Sequence, residues 1–157
     1  MMAGQKGVKM EKLTYKDYTK ARQEEWNALP IFYAYGQDQF EKALREHGYN
    51  AKDLVRIGLG GFCHKNDVPA INAFIEADRL GELMKDYDFA YEAIYYEMAN
   101  HEYHINWEGD YDVCACFGSI EYHGEDVAAY FKELGWGADT IRAYVNARRA
   151  FLDNAKY

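Results

Sequence analysis

The chain has 157 residues, with 18 Lys and Arg against 26 Asp and Glu and a formal net charge of −8. That acidic balance argues against binding to a phosphate backbone, whose affinity rests on clustered Lys and Arg, so no direct nucleic-acid contact is expected. No apolar run reaches the roughly 18 residues that span a bilayer, the N-terminus lacks a secretory h-region, and three Cys suit free thiols better than a disulfide framework; a cytoplasmic protein without membrane contact is expected.

Residues 1–12 are small, polar and basic and read as a flexible tail, leaving 13–157 as one globular domain. Thr14 is a candidate N-cap for a helix to Leu29, ended by Pro30, with Tyr18, Ala21, Trp26 and Leu29 as its stripe. Ile31 to Tyr35 is a short aromatic run closed by Gly36 and predicts a buried strand. Asp38 to His47 predicts a helix stopped by Gly48, with Phe40, Ala43 and Leu44 inward. Leu54 to Leu59 predicts a second strand, followed by Gly58, Gly60 and Gly61 in a loop where positive φ or close backbone approach is needed. Asp67, with Pro69 in the first turn, opens a helix through Ile71, Phe74, Ile75, Leu80 and Leu83 to about Lys85. Asp86 or Asp88 caps the next, running to about His104 and apolar around its circumference, hence central. Ile105 to Asp112 reads as a turn, and VCACF as a short element ending at Gly118. Two helices, about Glu125 to Leu134 and Asp139 to Ala155, follow on either side of Gly135 and Gly137. The fold class expected is α+β, helix-dominated, a single compact domain with a small two- or three-stranded sheet.

The charge is unevenly distributed. From Asp86 to Phe131 there is no Lys or Arg, while the same stretch carries 11 of the 26 carboxylates, three of the five His and two of the three Cys. Carboxylates interleaved with aromatics suit a basic protein groove, charge steering the encounter and Tyr or Trp anchoring it. The residues that fit this role are Glu97, Glu102, Trp107, Glu108, Asp110, Tyr111, Asp112 and Glu121. The alternative to a partner surface is an ordinary solvated acidic face with capping Asp residues.

Glu97, His101 and His104 are spaced by four and then three, which places them within about a 60° arc of one helix. Two imidazoles and a carboxylate suit zinc or ferrous iron, with Asp110, Asp112 or His123 available to complete the shell. His101-Glu102-Tyr103-His104 is one residue short of the H-E-x-x-H pattern, so a zinc-protease fingerprint is absent. The bland alternative is ordinary hydrogen bonding at a helix C-terminus. Cys114-x-Cys116 is closer than paired structural zinc ligands usually are, and all three Cys read first as small buried hydrophobes. Ser119 is the only Ser and lacks the G-x-S-x-G setting of a serine hydrolase.

The blocks NALPIFYAYGQDQFEKAL (27–44), GLGGFCHKND (58–67), MANHEY (98–103) and GDYDVCACFG (109–118) resemble uncharacterised small proteins of gut bacteria and their phages or plasmids. The resemblance implies a mobile-element setting, in which small acidic proteins block host nucleic-acid enzymes; it assigns no residue a role. The expected function is therefore a non-catalytic acidic, Tyr-rich interaction protein, an inhibitor of a host defence or nucleic-acid-processing enzyme. Its partner is a protein with a basic surface, and no cofactor is expected. The rivals are a small metal-dependent enzyme holding zinc or iron at Glu97, His101 and His104, and a structural accessory domain forming a homodimer.

Overall fold

The computed structural model describes residues 12–103 and 107–155, with the backbone alone at Trp107 and Glu108. The fold is α+β and helix-dominated, with a small antiparallel sheet of three strands, as expected from the sequence. The described part of the stretch expected as one globular domain clusters into two compact units, 12–19 with 79–155, and Lys20–Asp78, and the tail expected at 1–12 lies, but for Lys12, outside the described residues. The chain passes from the first to the second inside its opening helix, α1 (Tyr15–Asn27). Thr14 caps that helix as its sequence predicts, its Oγ1 accepting from Asp17 N at 3.1 Å.

The unit Lys20–Asp78 holds β1 (Phe32–Tyr33), α2 (Gln37–His47), β2 (Leu54–Gly58), β3 (Gly61–His64) and α3 (Val68–Glu76). Strand order is β1-β3-β2, with Phe32 opposite Phe62 and Val55 opposite Cys63. Period-2 alternation sends Phe62, its partner Phe32 and Arg56 to one face, where Phe40 of α2 meets Phe62 at 5.0 Å between centroids. Cys63 is fully buried. Gly48 stops α2 in the left-handed conformation, as expected. Arg22 of α1 lies 3.6 Å over the Phe74 ring of α3 and donates to its carbonyl at 3.0 Å.

Strand β3 was read from sequence as part of a glycine loop. The reason is its length: four residues, one a glycine and one a histidine, leave too short an apolar run to register. The glycines instead make a hairpin, in which Gly58 pairs with Gly61 and the two loop residues, Leu59 and Gly60, both take positive φ, 51° and 80°. That is the requirement of a type I′ turn, which favours Asn-Gly. Leu59 is therefore strained as well as 93% exposed. Leu59→Asn is expected to stabilise this unit by about 1 kcal/mol, read as a higher urea midpoint of the sheet's slow-exchanging amides. An unchanged or lower midpoint would show that the turn is not of this type.

The second unit is built on α5 (Tyr87–Asn100) and α8 (Ala138–Asn154). Asp86 is the N-cap of α5, accepting from Phe89 N at 3.0 Å, and Lys12 pairs with it at 3.4 Å. The Asp86 carboxyl lies below the usual carboxylate range chiefly because of that backbone donor. Buried Phe89, Ala90, Ala93, Ile94, Glu97 and Met98 make one face of α5, and Ala143 and Ala147 of α8 share their core. Alanines at these positions allow close approach of two backbones, while full burial of a residue such as Ile94 or Met98 contributes roughly 1.5–3 kcal/mol. A stripe along the edge of that face carries Tyr87, Tyr91 and Tyr95 at four-residue spacing, half-buried, with successive rings about 6 Å apart. This explains its apolar circumference.

Three further elements complete the unit: α4 (Leu80–Leu83), α6 (Trp107–Cys114) and α7 (Val127–Leu134). The helix expected from Asp67 to Lys85 is two, α3 and α4, parted at 77–79. The turn expected at Ile105 to Asp112 is in the main a helix. Gly109 and two Asp suppress its propensity, but Asp110, Val113 and Cys114 are buried at helical spacing, and burial prevails.

Candidate metal centre

Helix α5 ends in a Schellman turn. Tyr103 N donates to Met98 O at 2.8 Å and Glu102 N to Ala99 O at 3.3 Å, with Glu102 at a φ of 49°. The turn leaves His101 at the helix C-cap, four residues and one helical turn from Glu97. Glu97 is only 8% exposed, and its carboxylate accepts from the Tyr15 hydroxyl and from Asn100 Nδ2 at 3.2 Å. Burial, then Glu97, pushes the Tyr15 phenol far up, so the hydroxyl is a fixed donor.

Beyond α6 a single 3₁₀ turn, Ala115–Phe117, brings Cys116 to the same place. Its Sγ lies 3.3 Å from His101 Nε2, and His101 Nε2 lies 3.6 Å from Glu97 Oε1. All three donor atoms fall within 4.8 Å of one another. A tetrahedral zinc ion with ordinary Zn–S, Zn–N and Zn–O lengths separates its donors by roughly 3.3–3.6 Å. Burial, then Glu97, pushes the Cys116 thiol up to about 12. A catalytic triad is a poor description of this group. An imidazole relaying between acid and nucleophile uses a different nitrogen toward each, whereas here Nε2 faces both Cys116 and Glu97. Donor atoms gathered this closely could hold an ion.

The family-model comparison bears on this same stretch. The model of DUF7659, a family of unknown function, matches residues 14–131. The chain belongs to this family. Its matched span includes Tyr15, Glu97, His101 and Cys116, and ends before α8. No curated protein and no solved structure matches the chain.

The structure distributes the residues expected from sequence unevenly. Glu97 and His101 come together as their spacing predicts, and His104 lies outside the described residues, as do the side chains of Trp107 and Glu108. Asp110, expected on a partner surface, is 2% exposed. It accepts from Tyr103 OH at 2.7 Å and from the Tyr144 hydroxyl, with Arg148 Nε 3.8 Å away and bonded to Tyr103 OH at 2.6 Å. Glu97 is likewise inside, so neither belongs to an exposed acidic face: both carboxylates are spent on buried hydrogen bonds. Glu102, Asp112 and Glu121 are exposed, and Tyr111 is half-buried against Tyr122 and Tyr130.

Cys114 and Cys116 part company, as residues two apart on a helix do. Cys114 is buried beside Tyr144 and Asp110, its thiol pushed up to about 12 by burial. Cys116 is the member of this donor group that the sequence does not announce. The available signal was a Cys inside the cation-free stretch that also holds Glu97 and His101, but only the fold supplies the proximity. A second group, Glu121, His123 and Glu133, is exposed and accounted for by its own bonds: His123 Nε2 and Glu133 Oε1 lie 2.8 Å apart, and Glu133 Oε2 accepts from Glu121 N.

Proposed function

We propose that this protein is a metalloprotein whose Glu97, His101 and Cys116 hold one zinc-class ion and leave a coordination position open to an outside ligand. The observation that carries this reading is the gathering of three different donor types within 4.8 Å of one another, with His101 Nε2 at 3.3 Å from Cys116 and 3.6 Å from Glu97, separations an ion would accept. A thiolate in the set favours zinc, with ferrous iron next, over magnesium or calcium. Structural zinc sites close with four protein ligands; among the described residues three donors gather here, and three with an open position is the arrangement of sites that act on something. Tyr15 and Asn100, hydrogen-bonded to Glu97, are the outer partners that orient a ligating carboxylate. The ion would serve as a Lewis acid toward a substrate oxygen, so the reading is a small metal-dependent enzyme. The reading as a non-catalytic acidic protein keeps Glu102, Tyr111, Asp112 and Glu121 for a basic partner, but it gives no role to the approach of Cys116 to His101.

Elemental analysis of protein purified without a chelator or a His-tag is expected to find about one zinc per chain. His101→Ala and Cys116→Ser should each lose it, while His123→Ala in the exposed group retains it. Tyr15→Phe should weaken zinc about 10-fold in competition with a chelating dye, the effect of removing an outer partner. Retention in Cys116→Ser with loss in His104→Ala would return the ligand set expected from sequence. A chain that stays metal-free after zinc addition and dialysis refutes the metal centre altogether.

A further inference from the structure

Helices α7 and α8 flank a half-open groove of about 350 Å³, lined by Val127 and Phe131 of the first and by Tyr144, Val145, Arg148, Arg149 and Leu152 of the second. The α8 residues recur at helical spacing, so they form one continuous face. A volume of this size lies at the lower end of small-molecule sites, which combine an apolar lining with a few fixed polar groups. Two guanidiniums are the polar groups here. Arg148 is held by its Nε, which donates to Tyr103 OH at 2.6 Å, and that hydroxyl is itself anchored on Asp110. Arg149 makes no hydrogen bond or ion pair with any described residue, and even Asp153, one helical turn on, is beyond ion-pair distance. The Arg149 guanidinium is exposed and has no partner among the described residues, so it is available to an anion beside the apolar lining.

We infer that this groove is a binding site for a small apolar carboxylate, such as a medium-chain fatty acid. The chain of the ligand packs on Val127, Phe131, Val145 and Leu152, and its carboxylate pairs with Arg149 in the planar, two-pronged manner that guanidinium groups favour. The site is separate from the proposed metal centre: none of its lining residues is among Glu97, His101 and Cys116.

Calorimetric titration with octanoate and with octan-1-ol tests it. Octanoate is expected to bind with a sub-millimolar dissociation constant, and the alcohol at least about 10-fold more weakly, since a charge-assisted bidentate pair is lost. Arg149→Gln should bring octanoate down to the level of the alcohol. Val145→Phe, at a position 45% exposed and therefore tolerant of a larger ring, should fill the groove and abolish both. Cys116→Ser should leave octanoate affinity unchanged. Equal binding of acid and alcohol, or binding that survives Val145→Phe, would overturn the inference. Loss in Cys116→Ser would do the same, by placing the carboxylate on the metal centre instead.

Discussion

Asp110→Ala is expected to lower the stability of the unit built on α5 and α8 by about 2–4 kcal/mol, chiefly the cost of leaving two buried hydroxyls without their acceptor. Asp110 Oδ1 is the common acceptor for Tyr103 and Tyr144, and the nearest carboxylate oxygen to Arg148. Alanine would leave two buried hydroxyls and a half-buried guanidinium with less than they need, in a space too tightly packed to admit several waters. For a chain of this size the loss corresponds to a fall of roughly 10 °C in Tm. Asp110→Asn retains one acceptor oxygen and should cost less. Tyr144→Phe removes a single hydroxyl and should cost about 1 kcal/mol. Urea denaturation followed by far-ultraviolet circular dichroism, which reports mainly the helices, would show this order. An Asp110→Ala variant as stable as the parent would mean the carboxylate is not the hub of the network.

Alkaline pH should unfold the same unit steeply. Burial pushes both the Tyr103 and Tyr144 phenols far above their ordinary value, with Asp110 adding to each and Cys114 to Tyr144. In the unfolded chain both ionise near pH 10, while in the folded one they keep their protons past that point. The unfolded state then binds fewer protons, so the contribution of these phenols is fully present below about pH 10 and is lost as pH rises above it. Two such groups give a slope of about 2.7 kcal/mol per pH unit. Tyr103→Phe or Tyr144→Phe should each make the slope shallower by about 1.4 kcal/mol per unit. The opposing result is phenolate absorbance growing smoothly through pH 10 in each of these variants and the parent alike, with the helical signal intact.

Local signals were legible wherever a single residue type decides the geometry. Gly48 stopping α2, Asp86 capping α5, Thr14 capping α1 and Gly135 ending α7 were all readable because each acts on backbone groups within a few positions. The four-residue spacing of Glu97 and His101 was readable for the same reason. Long-range partnerships were not. Asp110 looked like part of an acidic surface because no cation lies near it in sequence; its phenol Tyr144 and its cation Arg148 come from α8, more than 30 residues later. The helical nature of α6 was hidden by Gly109 and Asp residues whose propensity is poor, since what holds them helical is burial of Asp110, Val113 and Cys114. Cys116 reaches His101 and Glu97 through a 3₁₀ turn that no periodicity announces.

The Schellman turn after α5 has a bearing on how this chain tolerates change in length. His101 points back to Glu97 and Cys116, while Tyr103, two residues on, reaches Asp110, and the reversal between them is accomplished by Glu102 alone in its left-handed conformation. Replacing Glu102 would alter the ease of that reversal, but inserting or deleting a residue beside it would shift Tyr103 off its carboxylate while leaving Glu97 and His101 where they are. Position 102 should therefore accept substitution while the segment 101–103 accepts almost no indels, the opposite of what its position at the end of a helix, facing solvent at two of its three residues, would ordinarily allow.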